Sequence, residues 1–429
     1  MRLRKEVVMA LEQVFECPRT LSRLRSGPLG NLLDGFCNWL LSHGYRRWTI
    51  RTHLSNVSHL NKHLASQRSG FRRSLNSKDI DRFFNTYSLL CQRRGGVEGH
   101  VRRVRYSINR FIDHLREFEL FDPSSGQEIY QPLLEAYLNW MRHYQHASEG
   151  TLGVRCHSIS QFLEWLGPDA TPEGLSKLSS DRIEDFFISY VQIMGCSARR
   201  SMQSALRTFL RFCLHSSYVE QSLEYAVPTL RIYKLATVPR GLTDTQAQQV
   251  LQCINRNSHA GRRDYSIVLL LYTYGVRGGQ VRALRLEDIN WEQNQILFKA
   301  LKHGKDSRLP LTPEVGESLL DYLQKSRPSY SYPHVFLTSR APYHPFPHSS
   351  SLSAIVERCI QAAGIELPSK GAHAFRHCFA TRMLHKGHSL KEIADVLGHR
   401  HLGTTFIYTK VEFHALRQVA LEWPQEVPQ

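Results

Sequence analysis

The stretch SLKEIADVLGHRHLGTTFIY, running from Ser389 to Tyr408, decides how the second half of this chain is read. Ser389 followed three residues later by Glu392 has the form of a capping box, in which the hydroxyl accepts from the helix backbone while the carboxylate reaches back to the Ser389 amide. Helical patterning runs from there to Gly398, a residue that supplies the left-handed backbone with which helices stop. His399 comes directly after the stop, and Tyr408 follows nine residues later beside Phe406 and Ile407. Taken singly, both are ordinary. A histidine past a helix end is usually a capping or surface group, and a tyrosine among apolar neighbours is usually core.

Three further elements lie upstream. The group His373-Ala374-Phe375-Arg376 precedes the quoted stretch, and Arg277 follows Tyr274-Gly275-Val276. Between them the apolar period changes: residues 295–302, the turn pair His303-Gly304 and residues 307–311 read as a β-hairpin with Lys302 at its turn. Lys302 lies 25 residues after Arg277, and His399 lies 23 after Arg376. In kind, order and spacing this set resembles the tyrosine recombinase (phage integrase) family, whose signature is Arg, Lys, His-x-x-Arg, His or Trp, and Tyr. The local wording Ala394-Asp395-Val396-Leu397-Gly398-His399 and Thr404-Thr405-Phe406-Ile407-Tyr408 resembles family text as well. The resemblance to the catalytic domain covers about residues 242–421.

Elementary chemistry gives an independent reason for gathering such residues. A phosphodiester repels nucleophiles, and its transition state concentrates negative charge on two non-bridging oxygens, so fixed cationic donors are the stabilisers it needs. Arg277 and Arg376 suit that task, because a guanidinium gives paired hydrogen bonds to phosphate and keeps its charge when desolvated. His373 and His399 add donors, with His373 also able to take the proton of the Tyr408 hydroxyl, whose ordinary pKa of about 10 leaves it protonated at neutral pH. Lys302 matches the family's general acid for the departing 5′ oxygen. With this many protein cations no metal is required and no cofactor is expected; the resemblance implies a covalent 3′-phosphotyrosine at Tyr408. Lys299 and Lys305 sit on the same hairpin and compete with Lys302 for its role.

One position departs from the family. An acidic residue commonly stands three positions after the first arginine, where this chain has Gln280; Asp288, the acidic residue further along the same motif, is present. The amide keeps hydrogen bonds but not the charge, which leaves rate and pairing requirements open. Two alternatives remain at this stage. A type IB topoisomerase would relax plasmids lacking a specific site, and a DNA-binding protein that has lost catalysis would form no covalent complex.

The rest of the chain is consistent with a nucleic-acid enzyme. Its 429 residues exceed one ordinary core, and a formal net charge of +17 points to a polyanionic partner. The most apolar run, residues 267–274, is far shorter than the roughly 20 residues of a membrane-spanning helix. No secretory signal is visible, so a cytoplasmic, nucleoid-associated protein is expected. The nine cysteines are scattered and without a Cys-x-x-Cys pair, which argues against disulfides and zinc.

The first 220 residues have helical spacing, and one pattern occurs twice. Residues 32–39 match 133–140 at an offset of 101, residues 79–84 match 182–187, and residues 110–112 resemble 208–210. The expected organisation is a helical bundle over 1–125 that duplicates the next domain, the core-binding helical domain at 126–222, then a basic linker at 223–241 and the catalytic domain with its tail helix at 242–429. The fold class is mainly α with a small β-hairpin: helical DNA-binding bundles plus a mixed α/β integrase-type domain. A capping box at Thr243 and Gln246 should start a helix reaching about Ile254, with a second helical region over 267–284 and helix again from about Glu314 to the end. Candidate phosphate contacts are Arg102, Arg103 and Arg105; Arg199 and Arg200; Arg46 and Arg47; Arg72 and Arg73; and Arg231, Lys234 and Arg240 of the linker. The first bundle is read as an extra DNA-binding module or, alternatively, a protein-interaction domain. As the resemblance implies, the partner is duplex DNA with specific recombination sites, bound by a homotetramer that is monomeric when free, with accessory proteins as further partners. The tail's Phe413, Leu416, Val419, Ala420 and Trp423 are spaced like one helix face, suited to a neighbouring subunit or to its own domain.

Overall fold

The computed structural model describes residues 10–66, 75–93, 98–122, 129–229, 241–300, 306–367 and 371–398. The chain divides into two compact units, Met1–Trp39 with Arg47–Ile232, and Leu40–Arg46 with Tyr233–Gln429. Among the described residues no helix is long and apolar enough to cross a membrane.

The N-terminal part holds α1 (Pro18–Arg25), α2 (Gly30–Ser42), α3 (Arg47–Ser66), α4 (Ser77–Arg93) and α5 (Glu98–Glu117). A parallel pair, β1 (Leu75–Asn76) with β2 (Phe121–Asp122), joins the start of α4 to the residues after α5. Then come α6 (Gln131–Tyr144), α7 (Glu149–Leu166), the short α8 (Pro172–Leu175), α9 (Ser180–Ile193) and α10 (Cys196–His215). Their starts are set by side-chain oxygens that take up otherwise unpaired amides: Ser148 accepts from Thr151 N–H, Ser179 from Arg182 N–H, and Asn76 from Asp79 N–H.

Helices α2 to α5 begin at 30, 47, 77 and 98, and α6, α7, α9 and α10 at 131, 149, 180 and 196, so each start recurs 101, 102, 103 or 98 residues later. The buried positions keep the same step. Phe36 and Phe111 meet edge to face at 5.1 Å in the first bundle, and Tyr137 and Phe209 do so at 5.3 Å in the second. Phe83 and Phe84 of α4 are buried, as are Phe186 and Phe187 of α9.

The second bundle ends later than the linker reading expects. Leu223, Ala226 and Val227 are buried in its core, and Gln203 and Arg207 of α10 donate to the carbonyls of Pro228 and Val227. Extended-looking sequence there is a 3-10 turn at Glu224–Ala226 followed by strapped-down chain, because its few apolar residues have somewhere to bury. Residues 230–240, with Arg231, Lys234 and Arg240, lie outside the described residues.

The C-terminal part comprises α11 (Asp244–Cys253), α12 (His259–Tyr274), α13 (Gly278–Ala283), β3 (Ile289–Asn290), β4 (Gln295–Phe298), β5 (Ser307–Pro310), α14 (Pro313–Lys325), α15 (Ser349–Ala362), α16 (His373–His385) and α17 (Leu390–Leu397). The strands form one antiparallel sheet in the order β3-β4-β5, with Ile296 opposite both Ile289 and Leu309. Ile296 and Phe298 point into a core shared with Ile267, Leu270, Leu319, Phe336 and Phe375. A smaller cluster of Phe379, Ala380, Ile393 and Leu397 fastens α17 onto α16.

Three expectations need correcting. Helix α12 starts at His259, eight residues before Ile267. Its first turns carry Arg262, Arg263 and Asp264, which hide the apolar pattern, yet Arg263 and Asp264 are buried and paired at 2.7 Å. The hairpin has a third strand, β3, too short to leave a period-two signal. Residues 326–348 are irregular rather than helical; proline at 328, 333, 342, 345 and 347 interrupts any helix there.

Candidate active site

Arg277 owes its position to two glycines. Gly275 closes α12 in the left-handed conformation, φ +59°, and a Cβ there would stand 2.5 Å from the Phe379 ring. At Gly278, in the first turn of α13, a Cβ would stand 3.0 Å from Ala372 Cβ. The chain can therefore turn tightly and start α13 with Arg277 as its cap residue, the side chain directed at the end of α17. There Arg277 donates through Nη1 to the Leu397 carbonyl and through Nη2 to that of Gly398, both at 3.4 Å.

Arg376 reaches the same place from α16. It is 3% exposed, and it donates through Nη1 to the Gly275 carbonyl at 2.8 Å and through Nη2 to the Leu397 carbonyl at 2.7 Å. Two guanidiniums about a hundred residues apart in sequence thus share one carbonyl, on the residue two before His399. The capping box at Ser389 and Glu392 and the left-handed Gly398, φ +63°, fix both ends of the helix that carries it.

His373 opens α16, one turn before Arg376. Desolvation by the atoms crowding it, then the charges of Arg376 and Arg277, lower its pKa below the ordinary 6.5. The imidazole is accordingly neutral at pH 7 and able to accept a proton. His377, one turn on with its ring 6.4 Å from that of His373, is pushed down to about 4 by burial, His373 and Arg376. The sequence reading passed over His377; its only signal is its spacing, four residues after His373 on the same helix face.

Gln280, at the position where the family's carboxylate commonly stands, is 7% exposed. Its Oε1 accepts from the Arg277 amide at 3.1 Å and its Nε2 donates to the Lys299 carbonyl at 3.4 Å. An ionised carboxylate could make only the first bond, since it has no proton to give. The amide thus ties the start of α13 to the chain leaving β4. Asp288 accepts from the Arg285 amide at 2.9 Å and pairs with Lys299 Nζ at 2.7 Å. Hydrogen bonding to Asp288 raises the Lys299 pKa. Lys299 is therefore engaged elsewhere, and Asp306 Oδ1 accepts from the Ala300 amide at 2.7 Å across the base of the hairpin turn. Lys302 and Lys305 lie outside the described residues, as do His399, Tyr408 and the tail.

Of the candidate phosphate contacts, Arg46, Arg102, Arg103, Arg105 and Arg200 are exposed. Arg105 lies over the Phe84 ring at 4.1 Å. Arg199 instead donates to the Met194 carbonyl at 2.6 Å and to that of Val191, closing the end of α9. Arg47 bonds to Glu16 at 2.6 Å and to the Val14 carbonyl at 3.1 Å. Arg72 and Arg73 lie outside the described residues.

The sequence profile of the phage integrase family matches residues 240–415. The putative integrase/recombinase y4rA of Sinorhizobium fredii is 31% identical over 414 residues, 95% of this chain and 97% of that protein. The chain belongs to the phage integrase family. It is a tyrosine recombinase, an enzyme that cuts and rejoins DNA strands in site-specific recombination. The tyrosine recombinase XerA of Pyrococcus furiosus is 28% identical over 289 residues, covering 67% of this recombinase and 92% of its own length. In fold, the recombinase is similar to a XerH site-specific recombinase solved with a palindromic difH substrate, at TM-score 0.51 and 18% identity over 70% of this chain and 98% of that one.

Proposed function

We propose that this recombinase cleaves duplex DNA at specific sites with Tyr408 as nucleophile, within a tetramer assembled on paired sites from monomers free in solution. Arg277 and Arg376 grip the non-bridging oxygens of the scissile phosphate, and His399 adds a third donor. The phenolic oxygen of Tyr408 attacks phosphorus as its proton passes to neutral His373. The bond from phosphorus to the 5′ oxygen breaks, and Lys302 protonates that oxygen as it leaves. The 3′-phosphotyrosine retains the phosphodiester energy, so a 5′ hydroxyl from the partner strand reverses the steps and reseals the break without ATP. Arg231, Lys234 and Arg240, with Arg200 of α10, serve as phosphate contacts, and accessory proteins set direction. The enzyme works in the cytoplasm at the nucleoid, on mobile elements or in chromosome resolution.

The observation that carries this reading is the convergence of Arg277 and Arg376 on the Leu397 carbonyl, two residues before His399. Two guanidiniums that close together, Arg376 buried and Arg277 partly so, suit a doubly charged transition state better than a structural role, for which one would suffice. The test is incubation with a nicked suicide substrate drawn from the DNA flanking the gene, followed by denaturing electrophoresis. A covalent protein–DNA band is expected with the wild type and absent with Tyr408→Phe. A band that persists in Tyr408→Phe overturns the assignment of the nucleophile.

A further inference from the structure

The charge of the chain is unevenly placed. Residues 1–125 contain 22 lysines and arginines against 11 aspartates and glutamates, whereas residues 126–222 contain 8 against 10. The bundle that would be the family's core-binding domain is therefore slightly acidic, and its counterpart before it is strongly basic. In the second bundle the arginines are also largely occupied. Arg182 pairs with Asp169 and Arg211 with Glu224, while Arg155, Arg199 and Arg207 are bonded to Ser204, Met194 and Val227. Arg200, near the start of α10, stands exposed.

We infer that the first bundle is a duplicate of the second and grips duplex DNA through the exposed start of α5, with Arg102 and Arg103 on backbone phosphates. Arg102 falls 98 residues before Arg200, the same step that relates the starts of α5 and α10, so the free arginine of the second bundle has a counterpart in the first. Here it is joined by Arg103 and Arg105, all three exposed, and neither Arg102 nor Arg103 has a carboxylate partner among the described residues. The flank is less acidic as well. At the offset of 103 that relates the helices, the exposed Asp181 and Asp185 of α9 stand where α4 presents Lys78 and Arg82, and Arg182 where it has Asp79, the partner of Arg82 at 3.9 Å. Free guanidiniums at high local density, with Tyr106 half exposed among them, fit a continuous row of phosphates better than a protein face, whose centre is depleted of charge. The inference rests on the recombinase reading only in taking duplex DNA as the bound polymer.

The test uses the full chain carrying Tyr408→Phe, so that binding is measured without cleavage, and a 60-bp duplex of random sequence as the probe, its length being about that needed to exceed any one footprint. Arg102→Gln with Arg103→Gln leaves Arg105 on the Phe84 ring, so no packing is lost, and an unchanged melting temperature verifies that. Loss of two phosphate contacts lowers the slope of log affinity against log salt by about 1.8 and weakens binding several-fold or more at moderate salt. Arg182→Gln, whose side chain already pairs with Asp169, leaves the slope as it was. An unchanged slope in the double variant, while the parent still binds, overturns the inference and leaves the recombinase reading standing. If altered self-association accompanies that unchanged slope, the face belongs to a protein contact. Failure of the parent to bind any duplex would instead strike at the recombinase reading itself.

Discussion

The two N-terminal bundles follow the same schedule of helices but fill it differently. The second has an interior built from Tyr137, Leu163, Phe186, Leu206, Phe209 and Phe212. The first buries Asp34, His53, Asn56, Asn61, Ser107 and His114 as well as its leucines and phenylalanines. At matching steps, His114 occupies the place of Phe212, Asn61 that of Leu163 and Ser107 that of Ala205. The aromatic pair, Phe36 with Phe111 and Tyr137 with Phe209, is present in both, whereas the positions around it are polar in the first bundle and apolar in the second. A helical frame thus keeps the one central contact more tightly than the polarity of the positions around it.

The largest effect should come from the contact the bundles share. Phe111→Ala and Phe209→Ala each remove a fully buried ring and are expected to cost about 3–5 kcal/mol. Hydrogen exchange on the intact protein reads them separately. Phe111→Ala should release amides of α3 and α5, and Phe209→Ala those of α7 and α10. If either variant released both sets together, the bundles would be one cooperative unit and the comparison would lose its meaning.

Acid should separate the two next. His53 is 4% exposed, bonded through Nδ1 to Ser107 Oγ at 3.0 Å, and faced by Asn56, the Tyr106 ring and the charge of Arg110. Burial, then Arg110, pushes its pKa from 6.5 down to about 4. A histidine held neutral in the fold takes up a proton more readily when unfolded, so its contribution is intact above pH 6.5 and is lost as the pH falls toward 4. That is worth about 3 kcal/mol over the interval. The place of His53 in the second bundle is taken by Arg155, which bonds to Ser204 Oγ at 2.7 Å. Limited proteolysis at pH 7 and near pH 4.5 should therefore cut first within residues 10–122, with 129–229 resistant for longer. Equal resistance of both at the lower pH would remove His53 as the difference between them.

How far the sequence could be read depended on the range of the interactions. Capping boxes at Thr243 and Ser389 are local and formed as expected, with Thr243 N–H donating to Gln246 Oε1 at 3.0 Å and Ser389 N–H to Glu392 Oε2 at 2.8 Å. The strands on either side of the Lys302 turn were legible from a change of period. The sharing of the Leu397 carbonyl by Arg277 and Arg376 was not, because it links residues 120 and 21 positions apart and depends on how α12, α16 and α17 pack. Gly275 could be noticed only as an interruption; its reason, the Phe379 ring against its Cα, is tertiary. The same blindness hid the start of α12, where a buried ion pair looks like surface, and the polar interior of the first bundle, where His53 and Ser107 look like solvent-facing residues until they are seen to face each other.

The smallest effect tests whether that polar interior is needed. Asn61, 3% exposed on α3, accepts from the Leu29 amide at 2.9 Å and donates to the Ser26 carbonyl at 2.7 Å, pinning the turn between α1 and α2. Leucine, found at the matching Leu163, shares the branching of asparagine at Cγ but is bulkier and leaves both backbone groups without those bonds, at an expected cost of about 2 kcal/mol. Faster exchange should be confined to the α1–α2 turn in Asn61→Leu, while α7 and α10 are untouched. A buried polar group can also be less stabilising than a well-packed apolar one of the same shape. If Asn61→Leu proved more stable than the parent, the backbone groups of the turn must find water or new partners, and the polar core of the first bundle would be a tolerated drift rather than a requirement of its fold.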